Sequence, residues 1–256
     1  MHYGRTMPQR GADSRSVAAK LFAIADAFSR REELTLGEIA AYAGLPKSTA
    51  HRLVGEWVAW GGLVREGDRY RVGVHLWRLG ASQPTVRRLR AVALPYLEDL
   101  LEATGEHVHL AVRDGLGAIY LERLSGQSAV SVISDVGTRL PLHATGVGLA
   151  LLAYAPPETL AEVLAAGPRQ YLPNTLTDEA SLRRRLAEVR ATGIARSVEE
   201  LTRSAFSVAS PVRAGGGDVV AAVSIIAHVE RVHEPQFALG VRMAARGISA
   251  ALGEEI

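Results

Sequence analysis

The chain of 256 residues contains no cysteine, which excludes disulfides, thiolate metal sites and a cysteine nucleophile. Long apolar runs are also missing. The longest, around Ala144 to Ala155, is interrupted by Thr and Gly and falls short of the ~20 residues that span a bilayer, so no membrane partner is expected. Residues 1–14 mix Arg, Gln, Gly and Asp with no apolar stretch of the kind a secretory signal needs, and read as a flexible tail on a cytoplasmic protein. Neither an H-E-x-x-H metal motif nor a G-x-S-x-G nucleophile turn occurs. Lysine is scarce, 2 residues against 27 arginines, a bias that reflects genome composition more than mechanism.

The charge is unevenly placed. Residues 1–90 hold 15 basic against 8 acidic side chains, net +7, while residues 91–256 hold 14 against 19, net −5. Only the amino-terminal third is suited to approach a polyanion.

That third carries a winged helix-turn-helix pattern from Leu34 to Val72. Thr35 and Glu38 have the T-x-x-E spacing of a capping box, so a helix that turns Ile39 and Ala40 inward starts there. Gly44 suits the left-handed residue that ends it, and Pro46 the first turn of a second helix. On the second helix Lys47, Ser48, Thr49, His51 and Arg52 lie outward, with Ala50, Leu53 and Val54 inward. Leu63 to Val72 reads as two short strands hinged at Gly67-Asp68, with Leu63, Tyr70 and Val72 packing and Arg65, Arg69 and Arg71 facing out. A solvated helix face is the bland account of the five outward residues. The cap, turn, wing and local charge together favour contact with double-stranded DNA. Arg52 has the planar fork that matches a guanine O6/N7 edge, and Ser48 and Thr49 suit phosphates. For the wing arginines, strand-face solubility competes nearly evenly with phosphate contact.

Before this motif, Val17, Leu21, Ile24 and Phe28 form a helical stripe. After it, turn-forming residues at 80–84 end the domain, and a linker helix is expected over residues 82–104. The remainder reads as strands at His107 to Arg113, Gly117 to Leu124 and Ala129 to Ile133, then helices near Thr145 to Tyr154, Pro157 to Ala166 and Asp178 to Thr192, the last capped by Thr177. Strands return at Ile194 to Val198, Ala205 to Val212 and Val219 to Ala227, and a helix closes the chain from Pro235 to Leu252. Strands, helices and strands without regular alternation imply an antiparallel α+β sheet. The domains predicted are thus a tail (1–14), a winged helix-turn-helix (15–81), a linker helix (82–104) and a second α+β domain (105–256).

Three other constellations invite chemistry. His107 and His109 share one strand face and with His143 could be drawn as a metal site, but hydrogen-bonded core histidines fit better, and neither metal nor cofactor is expected. His143 beside Thr145 could be drawn as a catalytic base, though a turn into a helix is the better reading. Gly215-Gly216-Gly217-Asp218 lacks the Lys-Ser/Thr of a phosphate loop and reads as a hairpin turn. Trp57, Trp60 and Trp77 could stack on bases, but core or dimer-interface packing suits their apolar neighbours better.

With both halves considered, the chain resembles the IclR family of bacterial transcriptional regulators, from about Ser16 to Arg242. The likeness rests on residues 34–40 and 44–53, on Gly137-Thr138-Arg139-Leu140-Pro141-Leu142-His143-Ala144-Thr145-Gly146, and on Ser207 to Pro211 with Ala221 to Ser224. The resemblance implies a GAF-like effector domain, a homodimer joined through the DNA-binding domains and often paired into a tetramer, a palindromic operator and a small organic effector. It also implies an effector pocket lined by Gly146, Val147, Ser197, Ser207, Ser224 and Ile226. Leu149 stands where the family commonly has Lys, Ser207 where Cys is common, and Ile226 where a second Ser often contacts ligand, which favours a larger or more apolar effector. A repressor of this kind is the expected function. The alternatives are an enzyme with an appended DNA-binding module and a constitutive DNA-binding protein whose second domain serves assembly.

Overall fold

The computed structural model describes residues 15–29, 31–126 and 133–253, so the expected tail and the greater part of the strand expected at 129–133 lie outside the described residues. Two compact units divide between Gln83 and Pro84.

In the first unit α1 (Val17–Ala27) is capped by Ser16, whose hydroxyl accepts from the Ala19 N–H. It lies under the helix-turn-helix, where the Trp57 indole N–H donates to the Leu21 carbonyl at 3.2 Å. A short strand β1 (Glu33–Thr35) leads directly into α2 (Leu36–Ala43). The capping box at that junction is complete: Thr35 Oγ1 accepts from Glu38 N–H, and the Glu38 carboxylate accepts from Thr35 N–H at 2.8 Å. Gly44, at φ 61° and ψ 42°, ends α2 in the left-handed region where a side chain would be strained. Arg15 reinforces this turn, donating to the carbonyls of Ala43 and Gly44 at the negative end of α2. The second helix α3 (Lys47–Ala59) starts one residue after Pro46, which occupies the cap position instead of the first turn.

The wing consists of β2 (Leu63–Glu66) and β3 (Arg69–Val72), but the sheet has three strands in the order β1-β3-β2. The extra strand β1 pairs Leu34 with Tyr70, and three residues were too few to show a period in sequence. Ile24, Leu34, Ile39, Leu53, Val54, Leu63 and Tyr70 form the unit's core. Two expected packing residues are outside it. Val17 lies in the exposed first turn of α1, and Val72, although it pairs with the buried Leu63, is itself exposed at the end of β3. A further helix, α4 (Val74–Ala81), follows the wing.

The second unit opens with α5 (Pro84–Thr104), over the span where a linker helix is expected, and it buries Leu89, Ala93, Leu97 and Leu100 in the core of this unit. Six strands, β4 (His107–Asp114), β5 (Gly117–Leu124), β6 (Arg139–Pro141), β7 (Ala195–Val198), β8 (Ala205–Arg213) and β9 (Val219–His228), form one sheet in the order β6-β5-β4-β9-β8-β7. Every pairing is antiparallel, as the α+β reading requires. Three helices follow β6: α6 (Gly146–Ala153), α7 (Pro157–Ala165) and α8 (Glu179–Thr192). The last is capped by Asp178, whose carboxylate accepts from Ser181 N–H, and not by Thr177. A closing helix α9 (Glu234–Gly253) completes the chain.

Strand alternation gives the sheet two apolar faces. Val108, Leu110, Phe206, Val208, Val223 and Ile225 meet α5 and α9 through Leu97, Phe237, Val241 and Ile248. The opposite face presents smaller residues, Ala111, Ala195, Ala209 and Ala222, to α6 and α8. Apolar all round, as its sequence GVGLALLA dictates, α6 is wholly buried between that floor and α8.

Because the Thr35 hydroxyl satisfies one of α2's open N–H groups, Thr35→Ala should cost about 0.5–2 kcal/mol of stability. Thermal unfolding of the full chain would measure it, and an unchanged midpoint would show that the cap contributes nothing.

Candidate DNA-recognition face and ligand pocket

On α3 the burial pattern separates two sides. Ala50, Leu53 and Val54 are buried, whereas Lys47, Ser48, His51 and Arg52 are exposed and Thr49 is half-buried. None of these five outer side chains is held by a hydrogen bond or ion pair among the described residues.

The wing arginines differ from one another. Arg71 forms an ion pair with Glu66 on the neighbouring strand, which holds its guanidinium still more firmly protonated. The Arg65 Nε–H donates to the Gly67 carbonyl at 3.0 Å, and its guanidinium lies 5.8 Å from the Tyr70 ring. Arg69, between them in sequence, is exposed. Exposed and near Glu66, the Arg71 charge is the one already answered within the wing.

In the second unit a pocket with about 400 Å³ of atom-free space, including its open mouth, lies on the α6 face of the sheet. Its floor follows from strand register. Ser197 on β7 pairs with Ser207 on β8, and Ser207 with Ile226 on β9, so the three lie in one row across the sheet. Above the row, α6 begins at Gly146. A Cβ on Gly146 would lie 2.5 Å from Ser207 Oγ and 3.2 Å from its Cβ, so any larger residue would require the Ser207 side chain to move. Thr145 caps α6, accepting from Gly148 N–H while donating to the Pro141 carbonyl. The first turn of a helix leaves N–H groups without helical partners, and here that end faces the pocket. Burial pushes the Tyr120 phenol above its ordinary range, so it stays neutral beside the Thr145 hydroxyl.

Of the expected pocket residues, Gly146, Ser197, Ser207 and Ile226 line this cavity. Val147 and Ser224 do not. Val147 turns into the core with Leu142 and Leu151, and Ser224, opposite Ala209, is roofed by α6 two residues further along β9. The cavity adds residues that the sequence reading missed, chief among them Tyr120, Ser134, Thr145, Glu200 and Thr202. Thr145 could have been found as a cap. The others come from elements with no shared sequence pattern.

His109 and His143 are hydrogen-bonded, as the bland reading held. His109 is fully buried with its Nε2 3.0 Å from Ser134 Oγ, and His143 Nε2 is 3.0 Å from the Arg169 carbonyl. No group of three metal-ligating side chains gathers among the described residues. Residues 214–218 form a hairpin turn, with Ala214 N–H donating to Asp218 O. No helix among the described residues is long and apolar enough to cross a membrane.

With this geometry in place, comparison with known proteins is informative. Residues 17–67 match the IclR helix-turn-helix domain, and residues 84–250 match the bacterial transcriptional regulator IclR C-terminal domain. The chain belongs to the IclR family. As a member it is a DNA-binding transcription regulator with a carboxy-terminal effector-binding domain. It is 33% identical over 228 residues to the glycerol operon regulatory protein of Streptomyces coelicolor, covering 86% of this chain and 89% of the relative. The Escherichia coli HTH-type transcriptional repressor AllR is likewise 33% identical, over 86% of this chain and 83% of its own. The crystal structure of an IclR homolog from Microbacterium hydrocarbonoxydans, complexed with 4-hydroxybenzoate, superimposes with a TM-score of 0.85 at 37% identity, covering 94% of this chain and 100% of the other.

Burial, reinforced by the charges of His107 and Arg123, lowers the His109 pKa from 6.5 to about 3. The unfolded chain therefore takes up a proton near pH 6.5 that the folded chain refuses until about pH 3, and stability is lost as pH falls through that window. Urea unfolding at a series of pH values should show this loss, with a shallower acid slope in His109→Gln; equal slopes would remove His109 as the cause.

Proposed function

We propose that this chain is a repressor that binds a palindromic operator as a dimer and changes its grip on DNA when a small organic acid enters the effector pocket. The observation that carries the reading is the outer face of α3, five polar side chains with no partner among the described residues on a unit of net positive charge. Arg52 reaches a guanine edge in the major groove, and His51 lies beside it. Lys47, Ser48 and Thr49 at the start of α3 hold phosphates, where the helix dipole adds to the attraction. Arg65 and Arg69 extend the phosphate contacts along the wing, and Arg71, paired with Glu66, contributes least. Repression follows the naming of the Escherichia coli relative.

The dimer joins through the DNA-binding units. Phe22, Trp60, Val74 and Trp77 are exposed there, more large apolar surface than a solitary small domain leaves to water. Two recognition helices then meet successive major grooves only if they stand about one DNA turn apart, ~34 Å. An effector acts through its difference in affinity for dimers that meet this spacing and dimers that do not. Trp77→Asp should convert the dimer to monomer and weaken operator binding; sedimentation of an unchanged dimer would move the interface elsewhere.

The effector is a small acid with an aromatic or other apolar body. Support comes from the α6 amino terminus with Ser207 and Thr145 at one wall, from Ile226, Ile133 and Leu140 at others, and from the 4-hydroxybenzoate bound to the Microbacterium homolog. A sensor is favoured over an enzyme because the obvious nucleophile and base are committed: Thr145 to the Pro141 carbonyl and His143 to Arg169.

Selection of duplex oligonucleotides by the purified protein tests the whole reading, with enrichment of an inverted repeat expected and no enrichment overturning it. On the selected site Arg52→Ala should cost ~1–3 kcal/mol and relax one base preference, whereas Lys47→Ala should weaken all sequences alike and flatten the salt dependence. An Arg52→Ala variant with parental preference would remove Arg52 from base reading.

A further inference from the structure

Glu200 enters the pocket wall from the β7–β8 connection with one oxygen satisfied and the other bare. Its carboxyl is 3% exposed. Oε1 accepts from Arg185 Nη1 at 2.9 Å, and the same nitrogen donates to the Arg196 carbonyl at 2.6 Å. Oε2 is enclosed and makes no well-formed hydrogen bond among the described residues, although the Ser197 hydroxyl and the Val198 N–H lie close to the carboxyl. Buried polar atoms are nearly always paired, and an unpaired carboxylate oxygen in a cavity wall marks a place for a donor from outside. Burial also pushes this carboxyl above the usual carboxylate range, although Arg185 and the nearby Ser197 hydroxyl pull the other way.

The connection holds Glu200 in place. Glu199 at φ 49° and Ser204 at φ 57° are the two non-glycine residues in the left-handed region among the described residues, and they bracket this turn. Ser204 N–H donates to the Glu199 carboxylate at 2.7 Å, Glu199 N–H donates to the Ala205 carbonyl, and Thr175 Oγ1 donates to the Glu200 carbonyl. With its backbone pinned and Oε1 tied to α8 through Arg185, the side chain has little freedom to swing Oε2 out to water. Such a group discriminates by what it lacks: a ligand without a donor leaves the oxygen bare.

Resting on the reading of this cavity as the effector site, we propose that Glu200 is its specificity-determining residue, accepting a hydrogen bond from a hydroxyl on the effector. The effector is then an organic acid of two unlike ends. Its anionic end turns to the open N–H groups of the α6 amino terminus and the Ser207 hydroxyl, and its other end, a hydroxyl, turns to Glu200 Oε2.

Calorimetric titration of the full-length protein with matched pairs tests this: 4-hydroxybenzoate against 4-fluorobenzoate, and 3-hydroxybenzoate against 3-fluorobenzoate. Fluorine nearly keeps the size and removes the donor. At least one hydroxy acid should bind about 10- to 100-fold tighter than its fluoro partner, the range for a hydrogen bond to a charged group. Glu200→Gln should shrink that ratio to a few-fold, whereas Ser224→Ala, outside the cavity, should leave it intact, with circular dichroism confirming that each variant is folded. Acids that bind with no hydroxyl preference, or a preference unchanged in folded Glu200→Gln or abolished in Ser224→Ala, would overturn the role of Glu200 and leave the pocket reading standing. Should Glu200→Gln fail to fold, Glu200→Asp, which keeps the charge and draws the oxygen back, takes its place with the same two outcomes. Binding of none of the four acids would overturn the aromatic-acid reading of the pocket and the Glu200 proposal with it.

Discussion

The close seat of α6 on the sheet is the constraint from which the effector unit follows. Gly146 eases it, because a Cβ there would crowd the Ser207 side chain, and the Ala195, Ala209 and Ala222 floor accepts a helix that is apolar on every side. The helix start is thereby lowered onto the row Ser197-Ser207-Ile226, and Thr145 fixes its direction by capping Gly148 and holding Pro141. Open helical N–H groups, serine hydroxyls and apolar side chains then share one small volume. That mixture suits a ligand with a polar end and an apolar body.

The DNA-binding unit rests on a comparable economy of turn chemistry. The Thr35–Glu38 box starts α2, Gly44 ends it, and Arg15 binds the freed carbonyls, so the angle between α2 and α3 is set by three local devices. Leu53 and Val54 then dock α3 on the core and leave Lys47, Ser48, His51 and Arg52 toward solvent. The fields of the two units differ in sign, and a polyanion meets an attractive surface on one alone.

The fold was largely legible in sequence. Capping residues, turn glycines and period-two strands placed the helix-turn-helix, the wing and most strands within a residue or two, since those features act between near neighbours. Failures came where local chemistry was ambiguous or short. Thr177 and Asp178 both suit a cap, and only geometry shows Asp178 reaching Ser181. β1 and β6 are three residues each, too brief for a period. Val72 has strand parity with Tyr70 and pairs with the buried Leu63, yet at the end of β3 it stays exposed. The pocket was legible in part. Family likeness indicated Gly146, Ser197, Ser207 and Ile226, whereas Tyr120, Ser134 and Glu200 come from three separate connections and strands and share a wall only after folding.

Sequence by itself determined most of the element order, the charge division and which residues of α3 face outward, because propensity, capping and net charge are properties of neighbouring residues. Tertiary structure alone decided that Val147 and Ser224 are shut away, that Arg71 is answered by Glu66, and that one oxygen of Glu200 is left bare beside a cavity. Those facts depend on strand register and on where a helix lands, and both are settled by contacts between residues far apart in the chain.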